Sequence, residues 1–146
     1  MLVLLLPSQI SSKWDAIKYA ISESVPPTVD MSPKVMNNIL MSLLDGTAQC
    51  WISYQEIEDE KVVNAILVTR VIDDSFTETR TLQIFTLFGT RPIDDAYWIE
   101  GLATLRKYAK VNSCLKVTAY SNVERIEEVV EFLGGKIEWK FISFDV

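Results

Sequence analysis

The side chains able to do acid–base, nucleophilic or metal chemistry are unevenly supplied in this chain, and the decisive count is a zero: it has no histidine. Without imidazole, Ser-His-Asp and Cys-His catalysis and histidine-ligated metal sites are excluded. The two cysteines, Cys50 and Cys114, stand far apart and form no CxxC pair, so neither a zinc nor a thioredoxin-type site is supported, and buried free thiols are the plain reading. Glu58-Asp59-Glu60 clusters three carboxylates but lacks the glycine and the ligand spacing of a calcium loop, and a solvated turn accounts for it. No metal is expected, and few enzyme classes survive these exclusions.

The frame that must position any remaining chemistry is one domain, residues 1–146, long enough to bury ~68–70% of its unfolded surface without a disulfide or metal. Hydrophobic residues at 49% and charged residues at 23% are those of a folded globular chain. A net charge of −6 repels phosphodiester backbones and anionic lipid heads, so nucleic-acid and membrane partners are disfavoured. The apolar opening, residues 1–6, has no basic start and is cut by Pro7, too short for a signal sequence or a membrane span; a cytoplasmic location is the default expectation.

Residues 2–6 read as a short buried strand that Pro7-Ser8 ends. A helix is expected from Ser12, with Ser12 and Asp15 as a capping box, Trp14, Ile17 and Ile21 on one face, and Pro26-Pro27 as its stop. Ser32 caps a second helix with Pro33 at its first position; Val35, Met36, Ile39, Leu40, Leu43 and Leu44 form its core stripe before Asp45-Gly46. From Thr47 the period becomes two. Strands are expected over residues 48–55, 62–71 and 79–88, the last with Leu82, Ile84, Thr86 and Phe88 on one face, and together they form an antiparallel meander. A helix opens near Asp94-Asp95 and turns Trp98, Leu102, Leu105 and Ala109 inward. Leu115, Val117 and Ala119 form a strand, Ser121 with Glu124 starts a helix to Leu133, Gly134-Gly135 ends it, and residues 137–145 form a last strand. The expected class is α/β (α+β), one central mixed sheet with helices on both faces, and the apolar runs 62–71 and 115–119 are expected in its middle.

This order of elements resembles the GNAT superfamily of N-acetyltransferases along nearly the whole chain. Residues 102–110, Leu-Ala-Thr-Leu-Arg-Lys-Tyr-Ala-Lys, look like the family's helix after its fourth strand. Residues 115–122, Leu-Lys-Val-Thr-Ala-Tyr-Ser-Asn, look like its fifth strand ending in the family's asparagine, and residues 129–135 are similar to its run ending in Leu-Gly-Phe. The resemblance implies acetyl-CoA in a cleft between splayed fourth and fifth strands, its pyrophosphate on a Gln/Arg-x-x-Gly-x-Gly/Ala loop at a helix N-terminus, where exposed N–H groups and the positive dipole end receive it. Leu87, Phe88, Gly89, Arg91 and Asn122 are the cofactor-contact candidates it implies. Alignment puts Ile93, Ala96 and Trp98 on the motif's Gln/Arg and glycine positions, where only Ala96 is small. Asp94 and Asp95 are expected to cap the helix and compete for its N–H groups, so acetyl-CoA is expected to bind weakly or not at all.

Acyl transfer to an amine needs a base and an acid for the departing thiolate, in this family usually a tyrosine. Val130 stands at the tyrosine's place. Tyr120 is the substitute candidate, with a packed strand tyrosine as the alternative; Glu56 and Gln83 are candidate base or water-positioning groups, with surface polar residues as the alternative. Asn122 also suits the start of the following helix. Two functions follow from these departures: a degenerate, non-catalytic GNAT-fold protein that binds another protein or itself, or an acyl-CoA-dependent N-acetyltransferase acting on a cationic amine drawn to the acidic surface. A small-ligand binding domain that reuses the cleft is a third. The chain is also similar to small GNAT-like proteins of bacteriophages, which implies an assembly role and, for a phage-encoded chain, association with the virion. The C-terminal run has Ile137, Trp139 and Phe141 on one face and Ile142 and Phe144 on the other, so both sides need cover from helices of the chain or from a partner.

Overall fold

The computed structural model describes residues 1–26, 30–121 and 123–146. Five strands form one sheet in the order β1-β2-β3-β4-β5: β1 (Leu2–Leu4), β2 (Ala48–Ile57), β3 (Glu60–Asp74), β4 (Thr79–Gly89) and β5 (Lys116–Ala119). The first four pair antiparallel and β5 joins β4 in parallel. The β2–β3 hairpin turns on Glu58 and Asp59, both at positive φ (50° and 64°), as a tight two-residue connection of twisted strands requires. The acidic run is therefore a hairpin turn, as its composition implied.

Helices cover both faces. α1 (Pro7–Ser12), α2 (Trp14–Ser24) and α3 (Pro33–Asp45) bury Ile10, Ile17, Ile21, Met36 and Leu43 against Cys50, Ile52, Ile66 and Val68. Each fully buried aliphatic chain stabilises the fold by about 1.5–3 kcal/mol. On the other face α4 (Asp95–Val111) packs Leu105 and Ala109 against Trp51, Ala65, Leu67 and Leu82. α3 has its expected ends: Ser32 Oγ accepts from Val35 N at 3.2 Å, Pro33 sits at the first position, and Gly46 closes it at φ 84°.

Several expectations are corrected. The first strand stops at Leu4, and Pro7 opens a helix instead of ending a strand, because proline suits the first helical position and Gln9 Oε1 accepts from Leu6 N at 2.8 Å. Ser12 is then the end of α1, its hydroxyl donating to Gln9 O, and makes no capping box with Asp15. α2 ends at Ser24 with Val25 extended before Pro26, while Pro27 lies outside the described residues. α5 (Glu124–Phe132) begins after Val123, and Ser121 Oγ accepts from Val123 N, so Ser121 turns the chain without boxing Glu124. In α4, Trp98 is half-buried and outside the cluster that Leu105 and Ala109 join.

The largest correction is at the C-terminus, where residues 137–145 form no strand. That leaves β5 at the edge of the sheet rather than in its middle, with Leu115 exposed just before it; β3, by contrast, is central and buried on both faces as expected.

Candidate functional site: a cleft between the fourth and fifth strands

The sheet opens where β5 ends. β5 pairs with β4 only from Thr81↔Lys116 to Ile84↔Ala119. β4 runs five residues further, to Gly89, bonded to β3 on one side and with no strand on the other among the described residues. At the parting point Val68 pairs Thr86 but Thr69 pairs Ile84, so Phe85 is an extra residue in β4. A bulge of this kind bends its strand and sharpens its twist, which turns residues 86–89 away from β5. It also reverses the faces. Leu82, Ile84 and Leu87 meet the α4 side, while Phe85 and Phe88 meet the α2 side, so the expected common face of Leu82, Ile84, Thr86 and Phe88 is not formed.

The mouth of the cleft is the loop from Gly89 to α4. Thr90 N donates to Asn64 O at 2.9 Å and Thr90 Oγ1 to Val63 O at 2.8 Å, fixing the loop to β3. Asn64 is itself an extra residue in β3 opposite Ser53 and Tyr54. It is wholly buried, with Nδ2 donating to Gln55 Oε1 at 3.2 Å and Oδ1 lacking a partner among the described residues. Asp94 occupies the cap position of α4, yet its carboxylate accepts no helix N–H; its carbonyl receives Tyr97 N and Trp98 N instead. The expected capping by aspartate side chains is thereby corrected: the competition for N–H groups is not made, and only the negative charge at the helix start remains.

Glu56 stands apart from the other polar candidates, whereas the β4–β5 register, Gln83↔Thr118 and Ile84↔Ala119, brings the backbone of Tyr120 within two residues of the position opposite Gln83. Gln83 is buried rather than a surface residue, and its Oε1 accepts from Arg70 Nε at 2.8 Å. Arg70 in turn stands 5.0 Å over the Phe85 ring, a cation at the foot of the cleft that reading the sequence did not single out. Glu56 is exposed at the far end of β2, opposite Lys61, whereas Gln83 lies opposite Arg70; that separation along β3 is about 30 Å at strand rise. The two cannot serve one reacting centre. The backbone N–H of Glu56 donates to Tyr97 Oη at 3.2 Å, so Glu56 works as a tie to α4. Tyr120 follows β5 beside the cleft, 60% exposed, with its ring edge-on to Phe141 at 6.1 Å instead of packed in the sheet. Leu87 and Phe88 are half-buried, Phe88 edge-on to Tyr19 at 5.7 Å; Gly89 and Arg91 are exposed, and Asn122 lies outside the described residues. Val130 stands half-buried where a side chain at Gly135 would strike it, with no hydroxyl to offer.

Acetyl-CoA fits this cleft at one end only. The free edge of residues 85–89 presents backbone groups that an extended amide-bearing arm can meet. The phosphate end fails: residues 90–98 contain no glycine, and Asp94 and Asp95 set two exposed carboxylates at the helix start. A separate groove of about 280 Å³ lies between α4 and α5, lined by Ile99, Leu102, Ala103, Arg106, Phe132 and Leu133, and it takes in none of the candidates. Among the described residues, no group of acidic and sulfur side chains is placed to hold a metal ion, and no helix is long and apolar enough to cross a membrane.

Known structures share this architecture. The aminoglycoside 6'-N-acetyltransferase AAC(6')-IG of Acinetobacter haemolyticus superposes with a TM-score of 0.69 at 11% identity, covering 100% of this chain and 97% of its own. A predicted acetyltransferase of Clostridium acetobutylicum, solved with acetyl-CoA, gives 0.67 at 16% identity, with 99% and 95% covered. The ribosomal-protein-alanine N-acetyltransferase of Brucella melitensis biovar Abortus gives 0.62 at 12% identity, with 100% and 99% covered. No protein-family model matches the sequence, and no curated protein matches it. The chain has the GNAT fold, a mixed five-stranded sheet of the α+β class with helices on both faces.

Proposed function

We propose that this chain uses the GNAT fold without acyl transfer and works by binding another polypeptide through its C-terminal segment. One observation carries the reading: Trp139 and Phe144 are 85% and 87% exposed, with Phe141 and Ile142 beside them, a dense apolar surface that helices of the same chain leave uncovered. The cleft supports it from the other side. Glu56 lies far along the sheet from Gln83, Asp94 and Asp95 set two carboxylates at the start of α4, and Val130 cannot protonate a thiolate. The test is titration with acetyl-CoA. A ligand at 100 times its dissociation constant stabilises by ~2.7 kcal/mol, several degrees of melting temperature in a domain of this size. No saturable shift at millimolar acetyl-CoA is expected; a micromolar dissociation constant by calorimetry would overturn the reading.

A second reading rests on the free edge of residues 85–89, which suits an acyl-CoA arm. On that reading the chain is an N-acetyltransferase whose acidic surface, net −6, draws a cationic amine. The clostridial neighbour solved with acetyl-CoA supports it by analogy of fold. Release of free thiol from acetyl-CoA with a polyamine acceptor would establish it.

A further inference from the structure

The C-terminal segment, residues 136–146, has the residue pattern of a strand and the hydrogen bonds of none. Its side chains alternate, with Ile137, Trp139 and Phe141 on one parity and Glu138, Lys140, Ile142 and Phe144 on the other. Among the described residues it makes no backbone hydrogen bond. It is nonetheless held beside β5 by side chains alone: Lys116 Nζ meets Glu138 Oε2 at 3.0 Å, and the Tyr120 and Phe141 rings meet edge-on. The segment is thus placed next to the sheet's open edge with its backbone groups unspent and its aromatic side chains in water.

Its charges specify a partner. Placed antiparallel to a second copy of itself with Trp139 opposite Trp139, each Glu138 faces Lys140 of the other copy, and each Ile137 faces Phe141. Shifting by two residues one way sets Glu138 against Glu138, and the other way sets Lys140 against Lys140. Only the Trp139-centred register is favourable among these three, and it is isologous, as a two-fold dimer requires. We propose that residues 136–146 of two copies pair antiparallel about Trp139, joining two molecules edge to edge. This rests on the binding role proposed above and names the partner as a second copy of this chain.

The experiment is sedimentation of the full chain with charge-reversal variants at exposed positions, each checked for folding by circular dichroism. Glu138→Lys and Lys140→Glu each convert two complementary cross-strand pairs into two like-charge pairs, and each alone should weaken the dimer by ~10-fold or more. An equimolar mixture of the two variants restores both complementary pairs in the mixed dimer, so dimer should return on mixing. Trp139 emission should shift to the blue as wild-type protein associates. Wild-type protein that remains monomeric at ~0.5 mM, or a dimer indifferent to both reversals, would overturn the self-pairing. If such a monomer loses binding to another polypeptide on Trp139→Ala, the binding role stands and self-pairing alone falls; if it turns over acetyl-CoA, both fall.

Discussion

Replacing Thr69 by valine tests how α4, the helix at the cleft's mouth, is held to the sheet. Thr69 is fully buried, and its hydroxyl accepts from Trp51 Nε1 at 2.9 Å while donating to Gln49 Oε1 at 3.0 Å. Gln49 Nε2 continues the chain to Gly46 O at 3.1 Å, and the Trp51 indole stands edge-on to Tyr108 of α4, 5.1 Å between ring centres. Valine matches threonine in shape and suits a strand, but it leaves one donor and one acceptor buried without partners, at about 1–3 kcal/mol each. The expected loss is ~2–6 kcal/mol. At an unfolding entropy of roughly 2.1 cal/mol/K per residue, each kcal/mol lowers the midpoint of a chain this long by ~3 °C, so the melting temperature should fall by ~6–18 °C. Thr69→Ser keeps the hydroxyl and loses one methyl, for ~1 kcal/mol and ~3 °C. Thermal unfolding followed by Trp51-sensitive near-UV circular dichroism measures both. A valine variant as stable as the serine variant would show that the hydroxyl bridge contributes nothing and refute the reasoning.

Burial pushes the Cys50 thiol up to about 12 and leaves its side chain wholly inaccessible, whereas Cys114 is partly exposed. A thiol reagent at pH 8 should therefore modify one cysteine in native protein and two in denaturant, and equal native rates at both would contradict the packing. Asp73 is held below the usual carboxylate range by its hydrogen bond from Arg80 Nε, opposed by desolvation and aided by the guanidinium charge. Its folded pKa lies below its unfolded one, so its stabilisation is present above pH ~4 and is lost as pH falls through the folded value. Asp73→Asn should differ from wild type by a constant amount near neutrality, and the difference should shrink below pH ~4; a difference independent of pH across that range would remove the charge from the explanation.

What could be read in the residues depended on whether the information was local. Ser32-Pro33 and Gly46 announce the ends of α3 because capping and left-handed closure need particular side chains at particular places. The period-two runs of β2 and β3 likewise carry their own face assignment. Phe85 escaped because its neighbours Ile84 and Thr86 fit a strand in either parity, and a bulge is decided by the partner's register. Gln83 has the look of a surface residue as a polar strand position, and the bond that satisfies its buried amide oxygen comes from Arg70, thirteen positions away. Pro7 has opposite meanings after a strand and before a helix, and only the Gln9 bond to Leu6 selects the second. Residues 137–145 have strand alternation, but a ladder needs a neighbour, and among the described residues no backbone group of their own chain bonds to their backbone. At the candidate site, the type of Asp94 was visible while the direction of its carboxylate was not.

The bulge at Phe85 divides β4 into two stretches with different exposure of the backbone to solvent exchange. From Thr81 to Ile84 the strand lies between β3 and β5, and amides on both edges are spent in ladders. Past Phe85, among the described residues, only the β3 edge is occupied, so successive amides point alternately into a ladder and into the cleft. Deuterium exchange along this one strand should be uniformly slow in its first half and alternate fast and slow in its second. A molecule entering the cleft would slow only the fast set, and the residues it silenced would trace its path along the edge.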